Sequence, residues 1–200
     1  MTITVYDLEK TVNSGLTTKI KSSVINYNQL YIQLSMQNLY STILYLKTNE
    51  KCKFKQLIDI TAVDYPQKEN RFKIVYFLLS HENNLRVSVY SDISEKTEVQ
   101  SIVKIFPSAN WMEREIFDMY GIHFKEHPDL RRILTDYGFE GYPLRKDFPL
   151  TGHKEVRYSE DKKKVISETV KLDQEYRKFE FDSPWDGTKY VTEKKKTEDK

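Results

Sequence analysis

Between Asn110 and Leu134 the chain reads NWMEREIFDMYGIHFKEHPDLRRIL, which gathers acids, two histidines and an arginine pair in twenty-five residues. Two chemistries are conceivable. HFKEH, His123 to His127, matches H-x-x-E-H, the inverted zinc-peptidase pattern. It functions only on a helix, where histidines four apart share a face and the glutamate activates a zinc-bound water. Here Asn110 is placed to cap a helix through WMEREIFDMY, with Glu113 three residues on in the capping-box position. Gly121 supplies the usual stop, and Pro128 biases His127 away from helical geometry. The two histidines are therefore expected in extended or turning chain, where their spacing does not unite them. Glu113, Glu115 and Asp118 form a possible acid–base cluster. Acids in the first turns of a helix are, however, favoured by its dipole alone.

Other chemical signals are sparse. The sequence contains no phosphate-cradling glycine loop and no nucleophile elbow. The one cysteine, Cys52, excludes an internal disulfide and fits a reducing compartment. A net charge of +2 offers no general attraction for nucleic acid or anionic membrane. No apolar run approaches the roughly 20 residues of a spanning helix. The start, MTITVYDLEKTVNSGL, resembles neither a secretory signal nor an Arg-rich transit peptide, so the chain is expected to work where it is made or to be already mature. One bias stands out. There are 24 lysines against 8 arginines, yet six arginines fall from Arg114 to Arg177. A planar bidentate donor is the expected requirement there.

The elements that must position these residues are legible in part. Residues 1 to about 22 are helix or loop. QLYIQLS alternates as a strand, and LYSTILYLKTNE has helical spacing. FKQLIDITAVDY, RFKIVYFLLS and LRVSVYS read as further strands, the last two joined by HENN in a hairpin. KTEVQSIVKIF spaces Val99, Ile102, Val103 and Phe106 as an amphipathic helix ending near Pro107. The expectation is an α+β, two-layer domain over residues 1–124, with a mixed sheet of about four strands and helices on one face.

The character changes after Glu126, where four of the six prolines and four of the six glycines lie. RRILTDYGFEGYPLRKDFPLTG is too punctuated for a helix and too apolar for ordinary disorder. Residues 125–190 are expected to be an extended arm laid over a partner, with EYRKFEFDSPWDG repeating the pattern. Residues 191–200, VTEKKKTEDK, read as a solvated charged tail.

Glu113-Arg114-Glu115, Asp118-Met119-Tyr120, His127, Arg131 and Ile133, in that spacing, resemble the signature of the 30-kDa subunit of respiratory complex I. That family includes subunit 9 of the mitochondrially encoded NADH dehydrogenase and a bacterial counterpart. LIDITAVDYP, RFKIVYFLLS, IFPSANWMEREIFDMYG, HPDLRRILTDYGFEGYPLRKDFPLTG, EVRY and FEFDSPW follow in family order, so the resemblance covers roughly residues 55–186. It departs at His123, where an apolar or aromatic residue is expected, and at Tyr142, where His or Phe is common.

The resemblance implies a non-catalytic core subunit of the peripheral arm of NADH:ubiquinone oxidoreductase. It would pack against the 49-kDa subunit near the quinone site, with FMN and iron–sulfur clusters held by other subunits. No cofactor or metal is expected on this chain, which agrees with one cysteine where a cluster needs four ligands. The implied location is the matrix side of the mitochondrial inner membrane or the cytoplasmic face of a bacterial plasma membrane. Relatives in membrane-bound hydrogenases leave the electron donor to the resemblance alone. The alternative from the residues is a self-sufficient metal-dependent hydrolase built on HFKEH.

Helix 110–120 is expected to bury Met112, Ile116 and Tyr120 on the sheet, its acids pairing with Arg131 and Arg132. Glu113, Arg114, Glu115, Asp118, His127, Arg131, Arg132, Arg145, Lys146, Asp147 and Trp185 are the expected residues of arm anchoring or partner contact. Arg131 and Arg145 are expected to be desolvated against acidic groups of this domain or of a partner subunit.

Overall fold

In the computed structural model, residues 3–17, 19–172 and 174 are described. The first helix, α1 (Val5–Gly15), begins at Thr4, whose hydroxyl accepts from the Asp7 N–H at 3.2 Å while Asp7 Oδ2 accepts from the Thr4 N–H at 3.1 Å. This reciprocal cap, visible as T-x-x-D, turns the helix-or-loop reading into a helix. Leu8 and Val12 are on its buried face.

Strands β1 (Ile20–Asn26) and β2 (Gln29–Leu34) form a hairpin through Tyr27 and Asn28, both at positive φ. Helix α2 (Leu39–Thr48) buries Leu39, Ile43 and Leu46. Strands β3 (Gln56–Asp64), β4 (Phe72–Ser80) and β5 (Leu85–Ile93) follow, with Asn84 at positive φ in the β4–β5 turn. The order is β1-β2-β5-β4-β3, with β2 and β5 parallel and the other neighbours antiparallel. The sheet is thus mixed and has five strands; β1 is the one beyond the expected four.

Alternation along β4 sends Phe72, Ile74, Tyr76 and Leu78 into the core. The opposite face, with Val24, Tyr31, Val75, Phe77 and Tyr90, lines an open groove. Helices cover one face, as the period-2 patterning requires.

The expected helix over 96–106 is absent. Val99–Gln100 (β6) instead pairs in parallel with Phe124–Lys125 (β7), followed by turns. Ser101 N–H donates to the Lys125 carbonyl and Ile102 N–H to Glu113 Oε1. These tertiary bonds take the amides that a helix would use, while Val99, Ile102, Ile105 and Phe106 stay buried. Helix α3 (Ala109–Tyr120) starts after Ser108, with no side-chain cap, and stops at left-handed Gly121. The expected Asn110–Glu113 capping box is not formed, because Glu113 turns inward.

The chain divides into two units, 1–152 and 153–200. The boundary expected at 124 therefore moves to 152, since residues 125–152 are bonded to the first unit. In the second unit, β8 (Lys154–Ser159) and β9 (Lys164–Thr169) pair as an antiparallel hairpin, which the arm reading did not include. Trp185, Phe179, Phe181 and the 191–200 tail lie outside the described residues. Among the described residues no helix is long and apolar enough to cross a membrane.

Candidate functional site

Three of the four signature charges on α3 point into the protein. Glu113 and Asp118 have no exposed surface and Arg114 is nearly enclosed, whereas Glu115 faces solvent. Of the expected apolar face, Ile116 is buried and Met112 and Tyr120 are partly so.

Asp118 is the principal anchor. Its Oδ2 accepts from the amides of Ile133, Leu134 and Thr135 at 3.0, 2.7 and 2.9 Å, and Oδ1 accepts from the Thr135 hydroxyl at 2.6 Å. Arg132 Nε lies 3.6 Å from Oδ1. Burial works to raise this carboxyl's pKa. The bonds from Thr135, Leu134 and Ile133 outweigh it and hold the group below its ordinary value.

The arginines bind backbone rather than acids alone. Arg114 Nε donates to the Arg131 carbonyl at 3.0 Å, with its guanidinium 5.1 Å from the Trp111 ring centre. Arg132 donates to the carbonyls of Phe139 and Gly141 at 3.0 and 2.8 Å. Arg145 donates to the Tyr120 carbonyl at 2.6 Å, pairs with Glu95, and stacks between Phe72 and Tyr142. Five donors in a planar fork suit several carbonyls at once, which accounts for Arg over Lys here.

A second anchor joins the expected Lys146 and Asp147 to two residues that were not foreseen, Arg71 and Asp64. Arg71 grips Asp64 bidentately, Nε to Oδ1 at 2.7 Å and Nη2 to Oδ2 at 2.8 Å, and reaches Asp147 at 2.8 Å. Asp64 also accepts the Lys146 N–H at 2.7 Å. Lys146 thus contributes its backbone, its side chain being exposed. The available signal was that Arg71 is one of only two arginines before Arg114.

Arg131 is not desolvated by its own domain. Its side chain is 72% exposed and pairs with Asp129, itself 51% exposed. Within this chain it is a surface pair, because Arg114 uses the Arg131 carbonyl and leaves the guanidinium outside. Arg145, at 14% exposure, is desolvated as expected.

The histidines part company. β7 is extended and Glu126 has φ +61°, so His123 turns outward and His127 inward. The helical geometry that the zinc motif needs is not present. His127 Nδ1 accepts the Asp129 N–H at 3.1 Å, and Nε2 lies 3.2 Å from the Asn110 carbonyl. Burial lowers its pKa. Burial raises Glu113 to about 7, against opposing bonds from Ile102 and Ser101.

The anchored segment shows the other side to solvent. Leu134, Tyr137, Leu144 and Leu150 are exposed on it, as is Trp111 on α3. Arg131, Arg132, Ile133, Thr135, Asp136, Tyr137 and Gly138 line a concavity of about 340 Å³. The segment is thus an irregular backbone fixed from beneath that presents apolar side chains to solvent.

The proteins that this chain is similar to are subunits of respiratory complexes. The chain is 54% identical over 167 residues to the C subunit of the NADH-quinone oxidoreductase of Parvibaculum lavamentivorans, covering 84% of each chain. It is 48% identical to that of a Chelativorans species over 92% of both, and 53% identical to that of Dinoroseobacter shibae over 90% of this chain and 84% of the relative. The fold is shared with a chain of the membrane-bound sulfane sulfur reductase, an archaeal respiratory membrane complex, at TM-score 0.63 and 22% identity, over 72% of this chain and 85% of that one. Residues 32–154 match the family described as respiratory-chain NADH dehydrogenase, 30 kDa subunit. That span contains both anchors and the whole exposed segment, and the chain belongs to this family.

Proposed function

We propose that the chain is a non-catalytic assembly subunit of the peripheral arm of a proton-translocating NADH:quinone oxidoreductase, docking through residues 131–150 onto the 49-kDa subunit near its quinone pocket. The observation that carries this is the contrast within one segment: its backbone is held by buried Asp118 and Asp64 and by partly buried Arg132, yet Leu134, Tyr137 and Leu150 remain in water. A pre-ordered segment loses little entropy on binding, and its exposed apolar groups gain by burial. The relatives, each the C subunit of an NADH-quinone oxidoreductase, supply the complex. FMN and the clusters belong to other subunits in this reading, since one cysteine cannot ligate a cluster and burial raises Cys52 to about 11. The site of action is the face of an energy-transducing membrane, bacterial cytoplasmic or mitochondrial matrix.

Tagged chain extracted in mild detergent tests it. Wild type is expected to bring down a large assembly containing flavin and iron, and Leu134→Asp with Tyr137→Asp to lose most of it while staying folded. A folded wild-type chain that purifies alone would overturn the reading. So would a double variant that still recovers the full assembly.

A further inference from the structure

A buried carboxylate and a buried imidazole meet where α3 passes the start of the anchored segment. Glu113 Oε1 accepts from Ile102 N–H at 2.8 Å, but Oε2 is enclosed and has no hydrogen-bond partner. That oxygen lies 3.9 Å from His127 Nε2, and neither side chain has any exposed surface. The ring is committed at both nitrogens. Asp129 N–H donates to Nδ1, so the ring proton sits on Nε2 and is directed to the Asn110 carbonyl. The other titratable and charged groups at the pair are Tyr76 of β4, Arg114 of α3 and Asp129 beyond β7. Tyr76 is itself fully buried with an unpartnered hydroxyl.

We propose that Glu113 and His127 form a proton-operated latch: a proton on Glu113 Oε2 keeps the carboxyl neutral and the ring on Asn110, and its loss draws the Nε2–H across to Oε2. The proton leaves to solvent and no other covalent bond changes. An ionised Glu113 keeps its bonds from Ile102 and Ser101 but leaves Oε2 buried without a hydrogen-bond donor, and His127 Nε2 lies 3.9 Å away. About 1 Å of ring motion brings 3.9 Å into hydrogen-bond range. The imidazole is rigid, so the same motion pulls Nδ1 from the Asp129 amide, two residues before Arg131. The state of one buried proton is thereby delivered to the exposed segment.

The direction of each titration fits. Burial pushes the carboxyl up to about 7 and the imidazole below its ordinary value, so near neutrality Glu113 exchanges the proton and His127 stays uncharged. The consequence for assembly rests on the docking reading above; the latch itself does not.

The free full-length chain tests the latch. Carbon-13 NMR of labelled glutamate, with the Glu113 signal assigned by its loss in Glu113→Gln, is expected to show a midpoint near 7. The Asp129 amide and the His127 Nε2 resonance should step at that midpoint, and the Asp129 step should vanish in Glu113→Gln. A Glu113 midpoint in the ordinary carboxylate range overturns the latch, as does an Asp129 step that survives in the variant. Were Glu113→Gln to misfold, the His127 Nε2 resonance of wild type decides: movement with the carboxyl supports the latch and constancy overturns it. Co-purification of partners at pH 6 and 8 is read separately; a chain whose latch titrates but which binds at neither pH counts against docking alone.

Discussion

Strands β4 and β5 and the segment 127–148 solve the same problem, a main chain brought out of water, by opposite means. In the sheet, nine consecutive residues of β4 face partners on β5, from Phe72↔Ile93 to Ser80↔Leu85, and carbonyl meets amide at alternate pairs. In the segment the amides of Ile133, Leu134, Thr135 and Lys146 meet carboxylates, and the carbonyls of Arg131, Phe139 and Gly141 meet guanidinium groups. A ladder spreads its stabilisation over many equivalent bonds. A charge anchor concentrates it in one side chain, and frees the segment's own side chains to face outward.

The largest expected effect follows from that concentration. Asp118→Ala strands three amides and leaves Arg132 without its anion, a loss of about 3–5 kcal/mol for a buried partner removed. Ile74→Ala in the sheet costs a similar amount, about 2–5 kcal/mol, by cavity formation. The two differ in where the loss appears. Amide exchange in Asp118→Ala should quicken across 127–148 while β4 and β5 remain protected; in Ile74→Ala it should quicken throughout the sheet. Uniform loss in both would erase the distinction between ladder and anchor. The pH signs also diverge. Asp118 is held below its ordinary value, so its contribution is present above the ordinary carboxylate range and fades on acidification. Glu113, raised from 4.5 to about 7, favours the folded chain at acid pH and loses that contribution as pH climbs to about 7.

Next in size is the second anchor. Arg71→Ala removes the fork from Asp64, which keeps only the Lys146 amide, at a cost of about 1.5–3 kcal/mol for bonds to a charged group. Arg71→Lys should recover part of it, since an ammonium cannot bond both carboxylate oxygens in one plane. Thermal unfolding of the pair ranks them. Equal stability of the lysine variant and wild type would reduce the fork to a simple charge pair.

The same contrast explains what could be read from the amino-acid order. Leu30, Ile32 and Leu34, or Phe72 through Leu78, announce their strands because a ladder needs only alternation and apolar faces. The Asn83–Asn84 turn and the Gly121 stop were legible for the same local reason. Anchors have no period. Asp118 and Asp64 meet amides 15 and 82 residues away, so nothing near them in sequence marks the contact, and residues 125–152 read as the start of an arm laid over a partner. The helix expected at 96–106 failed on the same ground: Glu113 and Lys125 claim the amides of Ile102 and Ser101. For the site, the family signature named the residues, but its spacing did not reveal that Glu113, Arg114 and Asp118 face inward while Glu115 faces out. The early β1 strand was missed because exposed Lys21, Ser22 and Val24 break its alternation.

The smallest expected effect belongs to Arg131, and it divides anchor from docking surface. Its neighbour Arg132 bonds two carbonyls and faces Asp118, whereas among the described residues Arg131 pairs only with exposed Asp129. Exposed pairs contribute about 0–1 kcal/mol, so Arg131→Ala should leave the free chain's unfolding temperature nearly unchanged. Arg132→Ala should lower it clearly. In the assembled complex the order is expected to change. If residues 131–150 meet a partner, the Arg131 guanidinium becomes desolvated there, and its loss should reduce recovery of the complex on native gels. Quinone reduction per assembled complex should stay near wild type, since the proposed role moves no electron through this chain. Normal assembly with slow turnover would assign Arg131 to the chemistry, and normal assembly with normal turnover would move the docking surface elsewhere on the segment, toward Leu144 and Leu150.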